Sequence, residues 1–321
     1  MRIEQARDGP DLLRWLVDRG LVDRVDCLAA DFSLEERSGR NLLVVVRTRS
    51  ETLTIKFFDR PAARIREENA LDELAATGLA FGVPTVVETT ETSLICRTVG
   101  GLLSVTERWP TALGPRFASR LGAALASLHA IDPAALAPAP QLPLVGRPGV
   151  EAIEFGAALR EVIGLLQADG TAEVMDEVAA ELAEEDEVFS HGDIRGRNIL
   201  VLPGRGGGVH LIDWETSGRC SRWFDLGAGL ALFIETALLA GRGAPSGATL
   251  LTYLAAYSRS SGHQIDVALT VQCAGVRLIQ SAMESTREGA ERSLVAERLL
   301  TVGGLALRSP LQVARRLEVL R

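Results

Sequence analysis

Lysine is almost absent from this sequence of 321 residues: of its 34 lysine and arginine side chains, only Lys56 is a lysine. Arginine therefore serves elsewhere as the general surface cation. The single lysine indicates a place where a compact ammonium on a flexible stem differs from a planar guanidinium. The alternative is a surviving surface lysine at a strand edge.

Cysteine is also scarce, and no long apolar run is present. The four cysteines show no paired spacing, which argues against a disulfide framework and against a zinc site. The most apolar later window, residues 228–240, contains Glu235 and is too short to span a bilayer. The first residues do not form a basic region followed by an apolar stretch, so no signal peptide is expected. These absences predict a cytoplasmic protein that does not enter a membrane.

Positive charge is not in excess. The net charge of −8 argues against nucleic acid as a partner and favours a cationic ligand. Hydrophobic residues make up 47 % of the chain, a level typical of globular proteins, and the length suits about two domains. Length and composition therefore agree with an intracellular enzyme.

The sequence does contain a segment of regularly spaced polar residues between Ser190 and Glu215. Asp193 is followed five residues later by Asn198, after which a strand-like apolar run begins. A second apolar run ends on Asp213, and the glycines between the two runs suit a tight connection between paired strands. In that hairpin one acid can accept a hydroxyl proton, while Asn198 and Asp213 provide oxygen ligands for Mg²⁺. The alternative is an acidic turn followed by an ordinary hairpin.

This layout is His-Gly-Asp, four residues, Asn, and then a strand that ends in Asp. It resembles the aminoglycoside phosphotransferase and choline kinase superfamily, whose members are relatives of the protein kinases. The resemblance implies an α/β (α+β) chain with the two-lobed protein-kinase-like fold. Residues 1–97 would form a small, β-rich lobe that clamps the nucleotide, and residues 98–321 a larger helical lobe for catalysis and acceptor binding. Asp193 would orient the acceptor hydroxyl or accept its proton.

Lys56 lies in an alternating strand pattern, and a helix that begins at Pro61 follows it. On that helix Glu67 lies one turn from an apolar stripe, while Glu68 faces about 100° away. In kinase-like folds a strand lysine holds the α- and β-phosphates and pairs with an acid on this helix. The resemblance therefore implies that Lys56 and Glu67 bind the nucleotide. The alternative for either acid is a solvated position on an arginine-rich helix.

The other elements of the small lobe are predicted by hydrophobic alternation: a helix over 11–19 and strands over 27–36, over 42–48, from residue 83 and over 93–98. The turn at 37–41 occupies the place of the phosphate-covering loop, and Ser38 within it is predicted to contact the nucleotide. Its alternative is an ordinary hairpin turn. At the connection between the lobes, the resemblance implies that the carbonyl of Arg97 and the amide of Val99 pair with adenine.

In the larger lobe, two helices are predicted over 150–185 and only helices after Asp225. The resemblance implies that Asp225 anchors the loop around Asp193 and that His191 serves as a scaffold. Arg195 falls where protein kinases carry a cation in this loop, and would act as a second catalytic residue that stabilises charge on the transferring phosphoryl group. The equal alternative is a salt bridge to surface acids.

The resemblance implies transfer of the γ-phosphoryl group of ATP to an alcohol with Mg²⁺, and leaves GTP as an alternative nucleotide. The first acceptor class is a small hydroxylated molecule such as an aminoglycoside-like antibiotic. Glu284, Glu288 and Glu291 share a helix face and would bind such a cation, or form a solvated surface.

Three other functions stay open. One is phosphorylation of Ser or Thr in a precursor peptide of a natural-product (lanthipeptide-like) pathway that has a partner lyase. Another is a non-catalytic nucleotide-binding scaffold. The last is a phosphohydrolase that uses His191, Asp193 and Asp213 as metal ligands, which would leave Lys56 unexplained.

Overall fold

The protein is described by a computed structural model that covers residues 9–29, 32–38, 41–49, 51–99, 102–107, 113–139, 166, 168–202, 208–241, 244–287 and 294–319. Within these ranges the chain forms a β-rich N-terminal part and a helical C-terminal part. No helix among these residues is both long enough and apolar enough to cross a membrane.

The N-terminal part is built around one antiparallel sheet of five strands in the order β1-β2-β3-β5-β4. Its strands are β1 (Ser33–Ser38), β2 (Leu42–Arg47), β3 (Glu51–Phe57), β4 (Thr85–Thr89) and β5 (Ser93–Val99). Alternating apolar side chains of the central strands turn to one face, where helix α1 (Gly9–Asp18) covers them. Leu12, Trp15 and Leu16 of this helix are buried against that face. Helix α2 (Pro61–Ala75) begins at a proline and follows β3 directly.

The first strand starts later than its sequence predicts. Instead of a strand over 27–36, the chain forms a short 3-10 turn at Asp26–Leu28 before β1 begins at Ser33. In this turn the amides of Cys27, Leu28 and Ala29 donate to carbonyls three or four residues earlier in the chain, at 3.1 to 3.3 Å. These amides are therefore not available for strand pairing. The lobe boundary predicted at residue 97 falls two residues before β5 ends and stays a prediction.

The C-terminal part contains most of the helices in the described ranges. They are α3 (Pro115–His129), α4 (Thr171–Glu184), α5 (Arg222–Leu239), α6 (Gly247–Ser261), α7 (Val267–Arg287), α8 (Leu294–Arg308) and α9 (Pro310–Arg316). Helix α5 is buried along most of its length. It packs closely on α7, since a Cβ placed on Gly227 would lie 2.4 Å from Cys273 Cβ. Of the two helices predicted over 150–185, the described residues include α4, and residues 150–165 lie outside them.

Residues 190–215, which include the regularly spaced polar residues, lie among short strands between the two parts. β8 (Ile199–Val201) and β9 (Val209–Leu211) form the predicted antiparallel hairpin, and β6 (Leu103–Ser104) pairs with β8. β7 (Glu187–Ser190) and β10 (Gly218–Ser221) form a second pair around it. Gly82 of the N-terminal part donates to the Val209 carbonyl at 2.8 Å, and its own carbonyl accepts from the Leu211 amide at 2.9 Å. These two bonds fix the N-terminal part on the hairpin.

Candidate active site

Lys56 lies at the centre of three carboxylates. Its Nζ, on β3, is 2.8 Å from Glu67 Oε2 on α2 and 2.9 Å from Glu215 Oε2, and it also donates to Asp213 Oδ1. Lys56 and Glu67 are buried, with 9 % and 5 % of their surfaces exposed. Glu68 instead accepts a hydrogen bond from an arginine of its own helix. The single lysine thus joins an acid of the N-terminal part to two acids that follow β9.

The charges in this cluster shift one another's pKa values. Burial lowers the pKa of Lys56, but the attraction of Asp213, Glu67 and Glu215 outweighs burial and raises that pKa above its ordinary value. Burial raises the pKa of Glu67 to about 7, against the opposing attraction of Lys56. The ammonium therefore stays charged at neutral pH and can hold an anionic ligand.

Sequence reasoning did not single out Glu215. Besides contacting Lys56, this acid accepts a hydrogen bond of 2.6 Å from Asn41 Nδ2, just before β2. The carboxylate oxygens of Glu67, Asp213 and Glu215 lie within 4.8 Å of one another. An acid only two residues after Asp213 was the available signal, because residues so close in sequence stay close in space in any backbone conformation.

Asp193 and Asn198 lie together in the segment 191–198, called the 191–198 loop below. Asn198 Nδ2 donates to the Asp193 carboxylate at 2.8 Å and to the Asp193 carbonyl at 3.0 Å. The Ile212 amide donates to the Asn198 carbonyl at 3.0 Å. This bond puts Asn198 beside the residue that precedes Asp213, as the predicted hairpin requires.

Asp213 has an unusual backbone conformation. Its φ of 69° lies in the left-handed region, which aspartate tolerates better than most side chains that carry a Cβ. The chain changes direction at this residue, just after β9, and the Asp213 carboxylate accepts a hydrogen bond from Lys56. Strained backbone of this kind is enriched at functional sites.

Asp225, on the first turn of α5, holds the start of the 191–198 loop. It is fully buried and accepts hydrogen bonds from the amides of His191 at 2.6 Å and Gly192 at 3.0 Å. His129 Nε2 lies 3.4 Å from the same carboxylate. Burial raises the pKa of Asp225, but these contacts outweigh burial and lower it below its usual value. His191 Nε2 bonds the Ile212 carbonyl at 3.0 Å, so this ring links the start of the loop to the residue that precedes Asp213.

Two arginines flank Asp193. Arg195 Nε donates to Asp193 Oδ1 at 2.6 Å, and the other end of the same guanidinium forms a two-pronged contact with Glu284 on α7, at 2.7 and 3.2 Å. Arg277, also on α7, places a guanidinium nitrogen 3.8 Å from Asp193 Oδ1. Burial raises the pKa of Asp193, but Arg277 and Arg195 outweigh burial and lower it. The predicted alternative for Arg195, a salt bridge to a surface acid, is present as its contact to Glu284.

Of the other predicted site residues, Arg97 and Val99 lie away from this cluster. Arg97 lies opposite Leu53 and Thr85 in the sheet, and its side chain is 2.7 Å from Glu51. Val99 ends β5 and is exposed. Ser38 is the last residue of β1, and its side chain lies outside the described residues, as do Glu288 and Glu291. Their predicted roles stay predictions.

The sequence pattern of a known family spans most of this architecture. A model of the phosphotransferase enzyme family matches residues 34–264, a stretch that begins in β1 and includes Lys56, Asp193 and Asp213. The chain belongs to this family. The predicted superfamily is thereby confirmed.

Solved structures share the fold of this phosphotransferase. An ethanolamine kinase of Plasmodium vivax superposes with a TM-score of 0.56 at 15 % identity, covering 96 % of this chain and 91 % of that one. A macrolide 2'-phosphotransferase of Brachybacterium faecium gives 0.55 at 19 % identity, with coverages of 94 % and 99 %. A choline kinase of Streptococcus pneumoniae gives 0.52 at 16 %, with 91 % and 99 %. The predicted two-lobed, kinase-like α/β fold is confirmed.

A shorter sequence match concerns one curated relative. The phosphotransferase is 43 % identical over 54 residues to an aminoglycoside 3'-phosphotransferase of Enterococcus faecalis. That alignment spans 17 % of this chain and 20 % of the relative, about one-fifth of its length.

Replacing Lys56 with arginine tests the lysine cluster. Lys56→Arg keeps the charge but enlarges and flattens the head, which the three close carboxylates leave no room to reorient. We expect the affinity for Mg·ATP or the turnover to fall at least tenfold, about 1.4 kcal/mol, in calorimetry and kinetic assays. Arg47→Lys, a matched exchange on the neighbouring strand β2, should leave both unchanged. Wild-type affinity and turnover in Lys56→Arg would exclude this lysine from the nucleotide site.

Proposed function

We propose that this phosphotransferase transfers the γ-phosphoryl group of ATP to a hydroxyl group of a small molecule, with Mg²⁺. The observation that carries the proposal is the position of Lys56. It contacts Glu67 of the N-terminal part and Asp213 after β9, while Asn198 bonds both Asp193 and Ile212, the residue before Asp213. Phosphoryl transfer depends on such positioning and charge stabilisation, since little covalent chemistry falls to the protein.

The reaction follows from these groups. The acceptor oxygen forms a bond to the γ-phosphorus, and the bond from that phosphorus to the β,γ-bridging oxygen breaks, leaving its electron pair on ADP. The hydroxyl proton passes to the Asp193 carboxylate and then to solvent, so that alcohol and ATP yield phosphate ester, ADP and a proton. Lys56, held by Glu67, binds the α- and β-phosphates of ATP.

The donor atoms near Asp213 suit a hard cation. Mg²⁺ prefers carboxylate and amide oxygens, and Asp213 supplies a carboxylate. Because Asn198 Nδ2 donates to Asp193, its carbonyl oxygen Oδ1 is the atom that Asn198 presents to a ligand. Asn198 and Asp213 would hold Mg²⁺, which supplies charge neutralisation on the β- and γ-phosphate oxygens when bound. The backbone of Arg97 and Val99 would pair with adenine, Ser38 would contact the nucleotide, and GTP remains the alternative.

Small hydroxylated acceptors are favoured by the relatives. Their names include kinases of ethanolamine and choline and phosphotransferases of macrolides and aminoglycosides. A peptide acceptor with a partner lyase gains no support from them. The phosphohydrolase alternative is disfavoured because His191 Nε2 bonds the Ile212 carbonyl and its Nδ1 lies 3.3 Å from the Asp193 amide, so the ring does not present a free nitrogen to a metal.

A direct screen tests this function. The purified protein is incubated with labelled Mg·ATP and, separately, gentamicin, spectinomycin, a macrolide, choline, ethanolamine and Ser/Thr-containing peptides. We expect a product of one added phosphate, read by mass, with a small-molecule hydroxyl compound. Phosphorylation of the peptides alone would replace this acceptor class, and binding of Mg·ATP without transfer or hydrolysis would favour the scaffold alternative.

Removing one charge from the metal site gives a second test. Asp213→Asn nearly preserves volume but removes an anionic oxygen, so we expect turnover to fall at least tenfold and the fall to be partly reversed at high Mg²⁺. The thermal midpoint without ligand should stay near that of the wild type. Asp72→Asn, on the exposed side of α2, serves as the control for a lost carboxylate. Normal turnover of Asp213→Asn at ordinary Mg²⁺ would exclude Asp213 as a ligand.

A further inference from the structure

Arg277 is a buried charge that the proposed reaction does not yet use. It lies on α7, 84 residues after Asp193 in sequence, and only 6 % of its surface is exposed. Burying a guanidinium costs several kcal/mol unless acids compensate its charge. Its compensation comes from Asp193 Oδ1 at 3.8 Å and from Glu284 Oε1 at 3.6 Å, and Gln280 Oε1 accepts a further bond at 3.3 Å.

The packing of α7 fixes the place of this arginine. Gly227 of α5 lets α7 approach so closely that an added Cβ would lie 2.8 Å from the Ala274 amide. Arg277 lies one turn after Cys273, which meets Gly227, so both face the same side of α7. Asp225, the anchor of the 191–198 loop, is two residues before Gly227 on α5. The loop and the arginine are therefore positioned from the same pair of helices.

We propose that Arg277 is a positioning residue for phosphoryl transfer, which holds the Asp193 carboxylate in the orientation that the acceptor hydroxyl requires. Arg195 contacts the same oxygen, Oδ1, while Asn198 Nδ2 contacts the other, Oδ2, at 2.8 Å. Two guanidinium groups and one amide thus fix the rotation of the carboxylate about its bond to Cβ. A carboxylate held in one orientation needs no reorganisation when the hydroxyl is bound.

Other charges face this group. Glu284 is bonded by Arg195 and lies near Arg277, and it is half-exposed, with 44 % of its side chain in solvent. Glu235 of α5 is close enough to Arg277 that the arginine opposes the rise in the pKa of Glu235 that burial causes. Arg197 approaches Glu284 at 3.9 Å but is 59 % exposed. Arg197 therefore shares the acid partner of Arg277 without its burial.

This inference rests on the proposed function, because it takes Asp193 as the residue that orients the acceptor hydroxyl. The test is a double-mutant cycle of Arg277→Met with Asp193→Asn, with Mg·ATP as the phosphoryl donor and water as the acceptor. Phosphate release gives kcat and the KM for Mg·ATP, and calorimetry gives the Kd of Mg·ATP.

We expect Arg277→Met alone to lower kcat at least tenfold and to change the Kd of Mg·ATP less than twofold. In the Asp193→Asn background the same change should lower kcat less than twofold, because the carboxylate that Arg277 positions is no longer present. Arg277→Lys keeps the charge and should recover part of the loss. Arg298→Met, at an exposed position of α8, is the matched control and should leave kcat within twofold of the wild type.

Equal losses from Arg277→Met in both backgrounds, or a parallel loss of nucleotide affinity, would show a merely structural arginine and overturn the proposal. If Arg277→Met does not fold, the cycle is run with Arg277→Lys, for which a threefold loss confined to the Asp193 background is expected. If Asp193→Asn is impaired but Arg277→Met is fully active, the positioning role of Arg277 is overturned and the role of Asp193 stands. Fully active Asp193→Asn overturns both this role and the assignment of Asp193 in the proposed function.

Discussion

Replacing Asp193 with asparagine should lower the turnover of phosphoryl transfer by about 10²–10⁴-fold while the affinity for Mg·ATP stays nearly constant. Asp193→Asn keeps the size of the side chain and its contact with Asn198, but it removes the charge that accepts the hydroxyl proton. In the structure this carboxylate contacts Arg195, Arg277 and Asn198, whereas Lys56 contacts a different set of acids. The substitution is therefore expected to affect the turnover and not the affinity for the nucleotide.

The measurement uses the acceptor found by the screen, with initial rates at saturating ATP and calorimetry of Mg·ATP in the absence of acceptor. Asp186→Asn, an exposed acid between α4 and β7, is the matched control and should behave as the wild type. A wild-type rate in Asp193→Asn would mean that the 191–198 loop does not work as in a kinase. Another group would then have to orient the acceptor hydroxyl.

Truncating Asp225 should produce the largest loss of stability. Asp225→Ala removes a fully buried carboxylate and leaves the amides of His191 and Gly192 without their acceptor. Each buried, unsatisfied donor costs about 1–3 kcal/mol, and removal of one partner from a buried charged network typically costs about 3–5 kcal/mol. We expect a decrease of the unfolding free energy in that range, measured by chemical denaturation. Asp176→Ala, on the exposed side of α4, should change it by less than about 0.5 kcal/mol.

The pH dependence of Asp225→Asn gives an independent check. The folded pKa of Asp225 is lowered, so the stabilisation from its ionised form is fully present above the unfolded pKa of about 3.9. It is lost as the pH falls through the folded value. The difference in stability between the wild type and Asp225→Asn should therefore shrink below about pH 4. A difference that stays constant from pH 7 to pH 3 would mean that ionised Asp225 does not stabilise the fold.

The parts of the site that could be predicted depend on local patterns. Lys56 and Glu67 are separated by one strand end and one helix turn, and Asn198 and Asp213 by one hairpin. Apolar runs and turn composition bring Asn198 and Asp213 together in the hairpin, whereas the pairing of Lys56 with Glu67 was implied by the resemblance to the family. The predicted start of β1 was wrong because the amides of Cys27, Leu28 and Ala29 bond within a local turn, which a hydrophobicity pattern does not reveal.

The contacts of Arg277 could not be predicted in the same way. They depend on how α7 packs on α5, through the close approach at Gly227, and a helical pattern fixes only which residues share a face, not which neighbour they meet. Glu284 shows the same limit. Its spacing suggested a site for a cationic acceptor or a solvated surface, while the structure bonds it to Arg195. Charges that converge from distant elements are set by tertiary packing.

The two backbone bonds of Gly82 have a mechanical consequence. They tie the N-terminal part to β9 at a second point, apart from the chain connection that follows β5. Other bonds join the same two parts: Arg66 of α2 donates to the carbonyls of Pro138 and Ser217, and the Ala80 amide donates to Ser127 Oγ. A rotation of the N-terminal part against the C-terminal part would therefore have to break several bonds at once. Lys56 and Asp213, which lie on opposite sides of this junction, are thus held together by bonds that neither of them makes.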